Sequence, residues 1–317
     1  MEITELQKQL KKDLGIVLYR GSDPLLHKER IAFDIPNLDL VLGGGLPRGR
    51  SYLTVGEFSS GKTFLAQMLI KSAQKVGGIA AYIDAEQTYD PEWFKLSGID
   101  IEQLLVSQIS IGEKVIDIVE NLLRANLDLI VIDSLAAMIP TAEQDEKAEQ
   151  QFMGIQARLI NKAFRKWTNA NSNSIIFAIN QMRSGIGGYG IQEEYPGGKA
   201  QRFFSSVIFR THRGGWITES KKRIGFDMEI FLTKSKICSP QQEIVIPFRF
   251  DICQLDIPSV LAQMCVDVGI IEQSGYTYSV LGKKAIGMNN LVELIKKENL
   301  EDQLKSLLQG EDGTSNR

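Results

Sequence analysis

The sequence predicts an α/β fold in which a mostly parallel central sheet is flanked by helices. From Phe33 to about Asp251, β-prone runs alternate with segments of helical periodicity, a pattern typical of parallel sheets covered on both faces. One predicted strand-to-helix junction carries a complete phosphate-binding motif, which requires that structural context. A chain of 317 residues is long enough for this core and for a small second domain.

The elements are predicted in a regular order along the chain. We expect strands at 51–55, 79–84, 104–107, 128–133, 174–180, 204–211, 226–234 and 243–250. We expect helices at 38–42, 63–76, 91–97, 112–125 and 152–170. Because the later strands follow one another without helices between them, they indicate antiparallel additions to the sheet.

Both ends of the chain differ from this core. Ile3, Leu6, Leu10 and Leu14 form one stripe of a predicted helix over 3–14, which packs either on its own core or on a neighbouring subunit. Towards the C-terminus the pattern is mostly helical, at 257–268 and 289–308, with a small strand at 276–280. The predicted division is an N-terminal helix and linker (1–32), the core (33–255), a small α+β C-terminal domain (256–309) and a disordered tail (310–317).

Composition excludes several classes of function. Hydrophobic residues make up 43% of the chain, and no apolar run approaches the roughly 18 residues of a membrane span. Three cysteines outside any C-x-x-C pair and two histidines argue for the reducing cytoplasm and against a zinc site. Because the net charge is −3, any nucleic-acid surface must be local; residues 183–223 hold eight Lys or Arg against three Glu.

The phosphate-binding motif G-x-x-x-x-G-K-[ST] is complete. It consists of Gly56, Glu57, Phe58, Ser59, Ser60, Gly61, Lys62 and Thr63. Backbone N–H groups of such a loop surround phosphates, Lys62 can reach the β- and γ-phosphates, and the Thr63 hydroxyl can bind Mg²⁺. A Gly-rich turn with an adjacent lysine is the alternative, and the flanking strand and helix disfavour it.

Two further predicted strands end in carboxylates. Asp133 closes the apolar run 128–133, from which it can reach the Mg²⁺ shell, usually through water. Glu86 follows the strand at 79–84 and can polarise the water that attacks a γ-phosphate. Each carboxylate has an alternative reading, because acidic residues commonly cap turns at strand ends.

Several motifs occur in the order and spacing of the bacterial RecA strand-exchange recombinases. They are residues 57–63, Ile83-Asp84-Ala85-Glu86, Val131-Ile132-Asp133-Ser134 and Ile179-Asn180-Gln181, together with 42–50, Ser107-Gln108 and Gly112-Glu113. The chain resembles that family from about Ile31 to Leu308. The resemblance implies a RecA-like P-loop ATPase core that uses ATP and Mg²⁺.

The resemblance assigns roles around the nucleotide. Glu86 falls at the catalytic glutamate, Asp90 and Trp93 fall where the family holds adenine, and Phe64 joins the nucleotide-binding set. Gln181 is expected to hydrogen-bond the γ-phosphate and to report its presence to the following segment. The alternatives are apolar packing for Trp93 and an ordinary strand-end cap for Gln181.

Two segments resemble the family's DNA-binding loops. The first spans roughly Glu146 to Met153, and the helix after it carries a basic stripe of Arg158, Lys162, Arg165 and Lys166, with Asn161 on the same helix. A solvated helix face is the alternative for this stripe. The second loop runs from Met182 to Lys199. Its predicted DNA contacts are Arg183, Tyr189, Gly197, Gly198 and Lys199.

Three more residues resemble the family's subunit-interface residues. Lys234 and Lys236 fall where two lysines reach the ATP of a neighbouring subunit, which would stabilise the charge of phosphoryl transfer. Their alternative is a solvated strand face. Phe203 resembles an interface residue, with core packing as its alternative.

The resemblance therefore implies an ATP-dependent recombinase that forms helical filaments on single-stranded DNA and pairs that strand with a duplex. Repressor or mediator proteins are further candidate partners, and no membrane is expected. Two other functions stay open at this point. One is an ATP-binding regulator that exchanges no strands, and the other is a ring-forming P-loop DNA motor.

Overall fold

The computed structural model describes residues 3–141, 149–182 and 195–312. Within these ranges the helices are α1 (Ile3–Leu14), α2 (Pro36–Val41), α3 (Lys62–Lys75), α4 (Pro91–Leu96), α5 (Gly112–Arg124), α6 (Glu149–Ala170), α7 (Ala200–Phe204), α8 (Ile257–Asp267), α9 (Met288–Lys297) and α10 (Glu301–Asp312). The strands are β1 (Arg30–Ile31), β2 (Leu46–Pro47), β3 (Arg50–Gly56), β4 (Ala80–Asp84), β5 (Leu104–Ser107), β6 (Leu129–Asp133), β7 (Ile175–Gln181), β8 (Val207–Glu219), β9 (Lys222–Ser235), β10 (Glu243–Arg249), β11 (Gln254–Leu255), β12 (Glu272–Ser274), β13 (Thr277–Val280) and β14 (Lys283–Ile286).

Nine strands form the central sheet, in the order β11-β10-β9-β8-β3-β7-β6-β4-β5. The six strands from β8 to β5 are parallel, and β9, β10 and β11 extend the sheet by antiparallel pairing. The predicted α/β class with a mostly parallel sheet is thereby confirmed, as are the antiparallel additions.

The two faces of the sheet carry separate hydrophobic cores. Alternate residues of β6 point to opposite faces, so Val131 packs beside α3 whereas Ile130 packs beside α5 and α6. Every residue of β6 is buried, as expected for a parallel strand covered by helices on both sides. Because β3, β4, β6 and β7 pair in parallel, their carboxyl ends lie along one edge of the sheet.

The β8–β9 hairpin is longer than the sequence pattern predicted. Residue 204 belongs to α7, and the hairpin continues through 212–225, where most side chains are exposed and carry no hydrophobic alternation. In this part of the hairpin, the guanidinium groups of Arg213 and Arg223 lie over the ring of Trp216. Their Cζ atoms are 4.9 and 4.4 Å from the ring centroid. The missing alternation explains why the predicted strands were too short.

The C-terminal part has a third hydrophobic core of its own, formed by α8, α9, α10 and the sheet β12-β13-β14. Only the middle strand of this sheet was predicted, and the predicted helix at 289–308 is divided by a break before Glu301. α10 continues to Asp312, into the segment predicted as a tail, and 313–317 lie outside the described residues. An ion pair between Lys305 and Asp34 joins α10 to the start of the core.

The N-terminal helix α1 contributes no buried residue. Ile3, Leu6 and Leu14 are exposed, so packing of this stripe on the chain's own core does not occur. No helix of the described ranges is long and apolar enough to cross a membrane.

A largely buried ion pair ties the turn before β3 to the start of β6. Nη1 of Arg48 lies 2.5 Å from Oδ1 of Asp128, and the other Asp128 oxygen accepts a hydrogen bond from the Ile79 N–H at 2.7 Å. Arg48 is buried, and its other acidic neighbour, Glu29, is exposed, with its Oε2 3.4 Å from Nε of Arg48. Loss of the Asp128 charge would therefore leave the guanidinium with only this exposed partner.

We expect Asp128→Asn to lower the free energy of unfolding by about 2–4 kcal/mol, because the buried guanidinium then keeps only its longer contact with the exposed Glu29. Urea denaturation monitored by circular dichroism measures this. The control is Asp251→Asn, which breaks an exposed pair with Arg249 and should cost less than about 1 kcal/mol. Equal small effects would show that Arg48 gains access to water when its partner is lost.

Candidate functional site

The phosphate-binding loop joins β3 to α3, and its glycines allow close packing. Gly61 precedes the helix with φ of 90°, in the left-handed region that favours glycine. A Cβ there would lie 2.7 Å from Sδ of Met228, and a Cβ on Gly56 would strike the carbonyl oxygen of Thr211. The Ser60 hydroxyl forms a 2.7 Å hydrogen bond with the Thr211 hydroxyl. Strands β8 and β9 therefore set the shape of the loop.

The tip of the loop is open to solvent, whereas its helical end enters the core. Glu57, Phe58 and Ser59 are exposed. The Phe64 side chain is buried edge-on against Phe248, with ring centroids 5.1 Å apart. Phe64 was predicted to bind nucleotide. Because its side chain is buried, only its backbone N–H can contact a phosphate.

The Lys62 ammonium lies inside the loop. It donates hydrogen bonds to the carbonyl oxygens of Gly56 at 3.1 Å and Glu57 at 2.6 Å. Burial lowers the pKa of Lys62, and the nearby carboxylates of Asp133 and Glu86 act in the opposite direction. A lysine that carries its charge here can attract phosphate oxygens more strongly than in water.

Asp133 lies at the end of β6, beside the first turn of α3. Its Oδ2 accepts hydrogen bonds of 2.8 Å from the hydroxyls of Thr63 and Tyr82. Burial raises the pKa of Asp133 to about 6, although these two hydrogen bonds oppose the rise. Burial also raises the pKa of Tyr82, which keeps this hydroxyl a hydrogen-bond donor.

Glu86 meets Gln181 where β4, β6 and β7 end side by side. Oε1 of Glu86 accepts hydrogen bonds from the Ser134 hydroxyl at 2.6 Å and from Nε2 of Gln181 at 3.0 Å. The backbone N–H of Glu86 also bonds the Asp133 carbonyl at 3.3 Å. The structure thus brings together Glu86, Asp133 and Gln181, which are far apart in sequence and were predicted to act on one nucleotide.

The turn from β4 into α4 carries the predicted adenine-binding pair. Asp90 caps α4 by accepting a 3.2 Å hydrogen bond from the Trp93 N–H, and Trp93 is 39% exposed rather than packed in the core. The buried carboxylate of Asp84 supports this turn by accepting from the Tyr89 N–H at 2.8 Å and from the Gln108 side chain at 3.1 Å. The turn therefore presents Trp93 at the surface.

A basic groove lies on another side of the core, between α6 and α7. Its larger part, of about 440 Å³, is lined by Ala157, Arg158, Asn161, Gly198, Lys199, Ala200, Phe203 and Phe204. An adjoining depression of about 370 Å³ continues along α6 past Arg165. Five predicted DNA-binding residues meet here, namely Arg158, Asn161, Arg165, Gly198 and Lys199.

Two glycines let the end of the second loop lie directly on α6. A Cβ on Gly197 would collide with the Ile160 side chain, and a Cβ on Gly198 would lie 3.1 Å from the Ala157 methyl group. Both have positive φ, at 88° and 72°. Their role in this structure is close packing that brings the loop end to the basic helix face.

Buried amide groups connect this loop end with the nucleotide side of the sheet. Nδ2 of Asn180 donates to Oε1 of Gln201 at 2.7 Å and to the Pro196 carbonyl at 2.8 Å. Nε2 of Gln201 donates to the carbonyls of Pro196 at 2.6 Å and Gly198 at 3.1 Å. Asn180 immediately precedes Gln181, so one strand end contacts both regions.

The basic stripe on α6 contains one lysine whose charge is already paired. Lys166 of the predicted basic stripe pairs with Asp117 at 3.1 Å and Glu120 at 2.9 Å on α5, which neutralises its charge.

The two predicted interface lysines have different surroundings. Nζ of Lys234 donates to three backbone carbonyls at the end of α7, whereas Lys236 is exposed.

Phe203 lies on α7 with 73% of its surface exposed. Core packing, the alternative reading of this residue, is therefore wrong for the protomer.

Some predictions lie outside the described residues. Arg183 and Tyr189 are among them, as are residues 146–148 of the first predicted DNA loop, whereas Glu149–Met153 of that loop form the start of α6. Other contributors were not assigned a role from the sequence. Ser134 and Asn180 each stand beside a predicted residue within a recognised motif, and Tyr82 immediately precedes the motif that contains Glu86. These positions were the available signal. Gln201 gave no sequence signal, because its partners lie on β7 and in the loop before it.

Comparison with known proteins identifies the family of the chain. The family described as RecA N-terminal domain matches residues 2–252. Protein RecA of Chlorobaculum tepidum is 38% identical over 325 residues, which cover 98% of this chain and 92% of that protein. Protein RecA of Thermus aquaticus is 39% identical over 280 residues (86% and 82%), and that of Mycoplasma mycoides is 37% identical over 317 residues (96% and 91%).

The chain belongs to the RecA family. As a member of this family it is a DNA-dependent ATPase that acts as a recombinase in DNA recombination, DNA repair and the SOS response. It binds nucleotide and DNA and assembles with itself into filaments. A regulator without strand exchange and a ring-forming motor, the two other functions considered, are not favoured.

The raised pKa of Asp133 predicts a specific pH dependence of stability. Its folded value of about 6 exceeds the ordinary value of 3.8, so the folded chain binds more protons than the unfolded chain between these two pH values. The stability that this group contributes therefore falls as pH rises from about 4 to about 6 and is constant above that range.

Asp133→Asn cannot titrate, so it should escape this loss. We expect the free energy of unfolding of the variant, relative to the unmodified chain, to rise by about 2 kcal/mol between pH 4.5 and pH 7.5, which is the part of the pKa shift that takes effect in this pH range, converted to energy. Urea denaturation without nucleotide or metal measures it, and the pH-independent effect of the substitution cancels. A constant difference would mean that Asp133 is ionised throughout this range.

Proposed function

We propose that Glu86, Gln181, Lys62, Thr63 and Asp133 form the ATP-hydrolysing site of this RecA-family recombinase. One observation carries the proposal: Glu86 and Gln181 share a 3.0 Å hydrogen bond at the sheet edge where Asp133 also ends its strand. A water-activating carboxylate and a phosphate-sensing amide are needed in this relation to one γ-phosphate.

The phosphates of ATP are proposed to bind over the N-terminus of α3. Free backbone N–H groups of the loop and the helix dipole favour anions there, and Lys62 would exchange its two carbonyl partners for phosphate oxygens. The exposed ring of Trp93, on the turn supported by Asp84 and capped by Asp90, offers a face for adenine.

Thr63 and Asp133 are proposed to hold Mg²⁺. They supply a hydroxyl and a carboxylate oxygen that lie 2.8 Å apart, which fits the preference of this ion for oxygen. Among the described residues no cluster of three or more His, Cys, Asp or Glu could hold a metal by itself, and a phosphate-bound Mg²⁺ needs only one or two protein oxygens. The ion would neutralise charge on the phosphates.

Glu86 is proposed as the base that orients the attacking water. Both of its side-chain hydrogen bonds, from Ser134 and Gln181, end on Oε1, which leaves Oε2 to accept from a water. If the Gln181 amide moves to a γ-phosphate, Glu86 loses one of these bonds. The same movement would act on Asn180 and, through Gln201, on the end of the DNA loop.

The groove between α6 and α7 is proposed to bind the single strand. Arg158 and Arg165 supply positive charge, and Asn161, Gly198 and Lys199 supply polar contacts at its edge. Such a surface binds phosphates without reading sequence, which leaves recognition of the homologous duplex to base pairing. Arg183 and Tyr189 are proposed to add contacts from the second loop.

ATP is proposed to lie between subunits of the filament. The exposed stripe of α1 and the exposed Phe203 ring are suited to packing on a neighbour. Lys236, together with Lys234, would approach the neighbour's γ-phosphate and stabilise the charge of transfer. Repressor or mediator proteins are proposed as further partners, and the cytoplasm as the location.

We expect Glu86→Gln to separate assembly from hydrolysis. The amide keeps the shape of the carboxylate but cannot accept a proton, so DNA-stimulated ATP hydrolysis should fall by about 10²–10⁴-fold. Filament formation with ATP and single-stranded DNA, seen by electron microscopy, should persist. Glu102→Gln removes an exposed carboxylate elsewhere and is the control. Hydrolysis that is equal in both variants would assign the base to another residue.

The groove proposal predicts a difference between two cations of one helix. Arg165→Ala should reduce the slope of log affinity for single-stranded DNA against log salt concentration by about 0.7, the value for one lost phosphate contact. Lys166→Ala should change the slope little, because Lys166 is paired with Asp117 and Glu120. Fluorescence anisotropy over a salt series measures both. Equal slopes in the two variants would remove Arg165 from the interface.

A further inference from the structure

The five-residue helix α7 is too short to be stable alone and is held by side chains from distant parts of the chain. It lies between the second DNA loop and β8, forms one wall of the basic groove and carries the exposed Phe203. Whatever fixes α7 therefore also fixes part of the DNA groove and part of the surface proposed to contact a neighbouring subunit.

The N-terminal side of α7 is held from the chain's own nucleotide site. Gln201, in the first turn, is fully buried and bonds Asn180, the Pro196 carbonyl and the Gly198 carbonyl. Asn180 adjoins Gln181, which contacts Glu86. This side of α7 thus depends on residues of the same protomer's β7.

The C-terminal side of α7 is held by one ammonium group. Nζ of Lys234 donates to the carbonyl oxygens of Arg202 at 2.5 Å, Ser205 at 2.8 Å and Phe203 at 3.2 Å. An ammonium has three N–H donors, so these three acceptors use all of them. The positive charge also lies where the dipole of a helix is negative, which adds to the stabilisation.

The side chain of Lys236, unlike that of Lys234, does not hold α7. Lys236 follows β9, its side chain is exposed, and only its backbone N–H bonds this region, at 2.8 Å to the Ser206 carbonyl. The two lysines were predicted to act alike on a neighbouring nucleotide. In the protomer, one of them is engaged by α7 and the other is not.

We propose that Lys234 is a positioning residue for α7, and that this one side chain links the order of the DNA groove to nucleotide capture between subunits. An ammonium that moves to a neighbour's phosphate must leave three carbonyls, so ATP at the junction competes with the C-terminal end of α7. Lys236 carries no such competition. The linkage rests on the proposed composite site, whereas the positioning role does not.

Hydrogen–deuterium exchange of the free protein, without nucleotide or DNA, tests the positioning role. Lys234→Met should speed exchange of the amides of Phe203 and Ser205 on the order of 10-fold, because the charged hydrogen bonds that hold their helix are lost. Lys236→Met should exchange like the unmodified chain. Lys234→Arg keeps a cation and its donors and should restore most of the protection.

The second measurement is affinity for single-stranded DNA at low salt without nucleotide. Lys234→Met should bind several-fold more weakly because one wall of the groove is loosened, while Lys236→Met should bind normally. Both should lose DNA-stimulated ATP hydrolysis if the composite site exists. If only hydrolysis fails, and α7 exchange is unchanged in Lys234→Met, the positioning role is wrong and the composite site stands. If α7 exchange rises but Lys236→Met hydrolyses ATP normally, the positioning role stands without a contact from Lys236.

If Lys234→Met does not fold, the comparison of Lys234→Arg with Lys234→Gln replaces it. The shorter, neutral glutamine cannot supply a charged donor at the three carbonyls. Faster α7 exchange in Lys234→Gln than in Lys234→Arg supports the proposal, and equal exchange in the two overturns it.

Discussion

The hydrogen bonds to the buried carboxylate of Asp133 are the interactions on which the nucleotide site depends. Its side chain accepts from Thr63 on α3 and Tyr82 on β4, and its backbone carbonyl accepts from the N–H groups of Ala85 and Glu86. Three separate elements are thereby fixed around one acidic group. Because burial raises its pKa to about 6, the protein keeps a carboxylate there at a cost in stability that a cation at the site would offset.

The strand β7 connects this site to the DNA groove because adjacent residues of a strand point to opposite faces. Gln181, at its end, reaches Glu86, while Asn180 reaches Gln201 and the Pro196 carbonyl. Through these bonds, and through those of Gln201 to the carbonyls of Pro196 and Gly198, the strand end is connected to the end of the second loop. The hydrogen bonds therefore form a contiguous physical connection between the two sites.

The sequence was most informative where function requires a local pattern. The phosphate loop and the strand-end residues Glu86, Asp133 and Gln181 are defined within a few positions, and the parallel strands are defined by continuous burial. Contacts between distant segments had no such pattern. Lys234 with α7 joins residues about thirty positions apart, and the exposed half of the β8–β9 hairpin lacks hydrophobic alternation. Phe203 looked equally suited to a core or an interface because the alternatives differ only in tertiary position.

Several surface groups of the protomer lack contacts that a neighbouring subunit would supply. α1 buries none of its residues, Phe203 projects from α7, and Lys236 extends into solvent, although the central sheet is packed on both faces. An apolar stripe and an aromatic ring exposed in this way gain no burial energy in the isolated protomer, whereas the exposed ammonium of Lys236 is well solvated. If Asp133 and Glu86 act as proposed, assembly can control turnover without remodelling either residue. It needs only to supply the missing surface and to redirect an ammonium group that the free protomer already holds on α7.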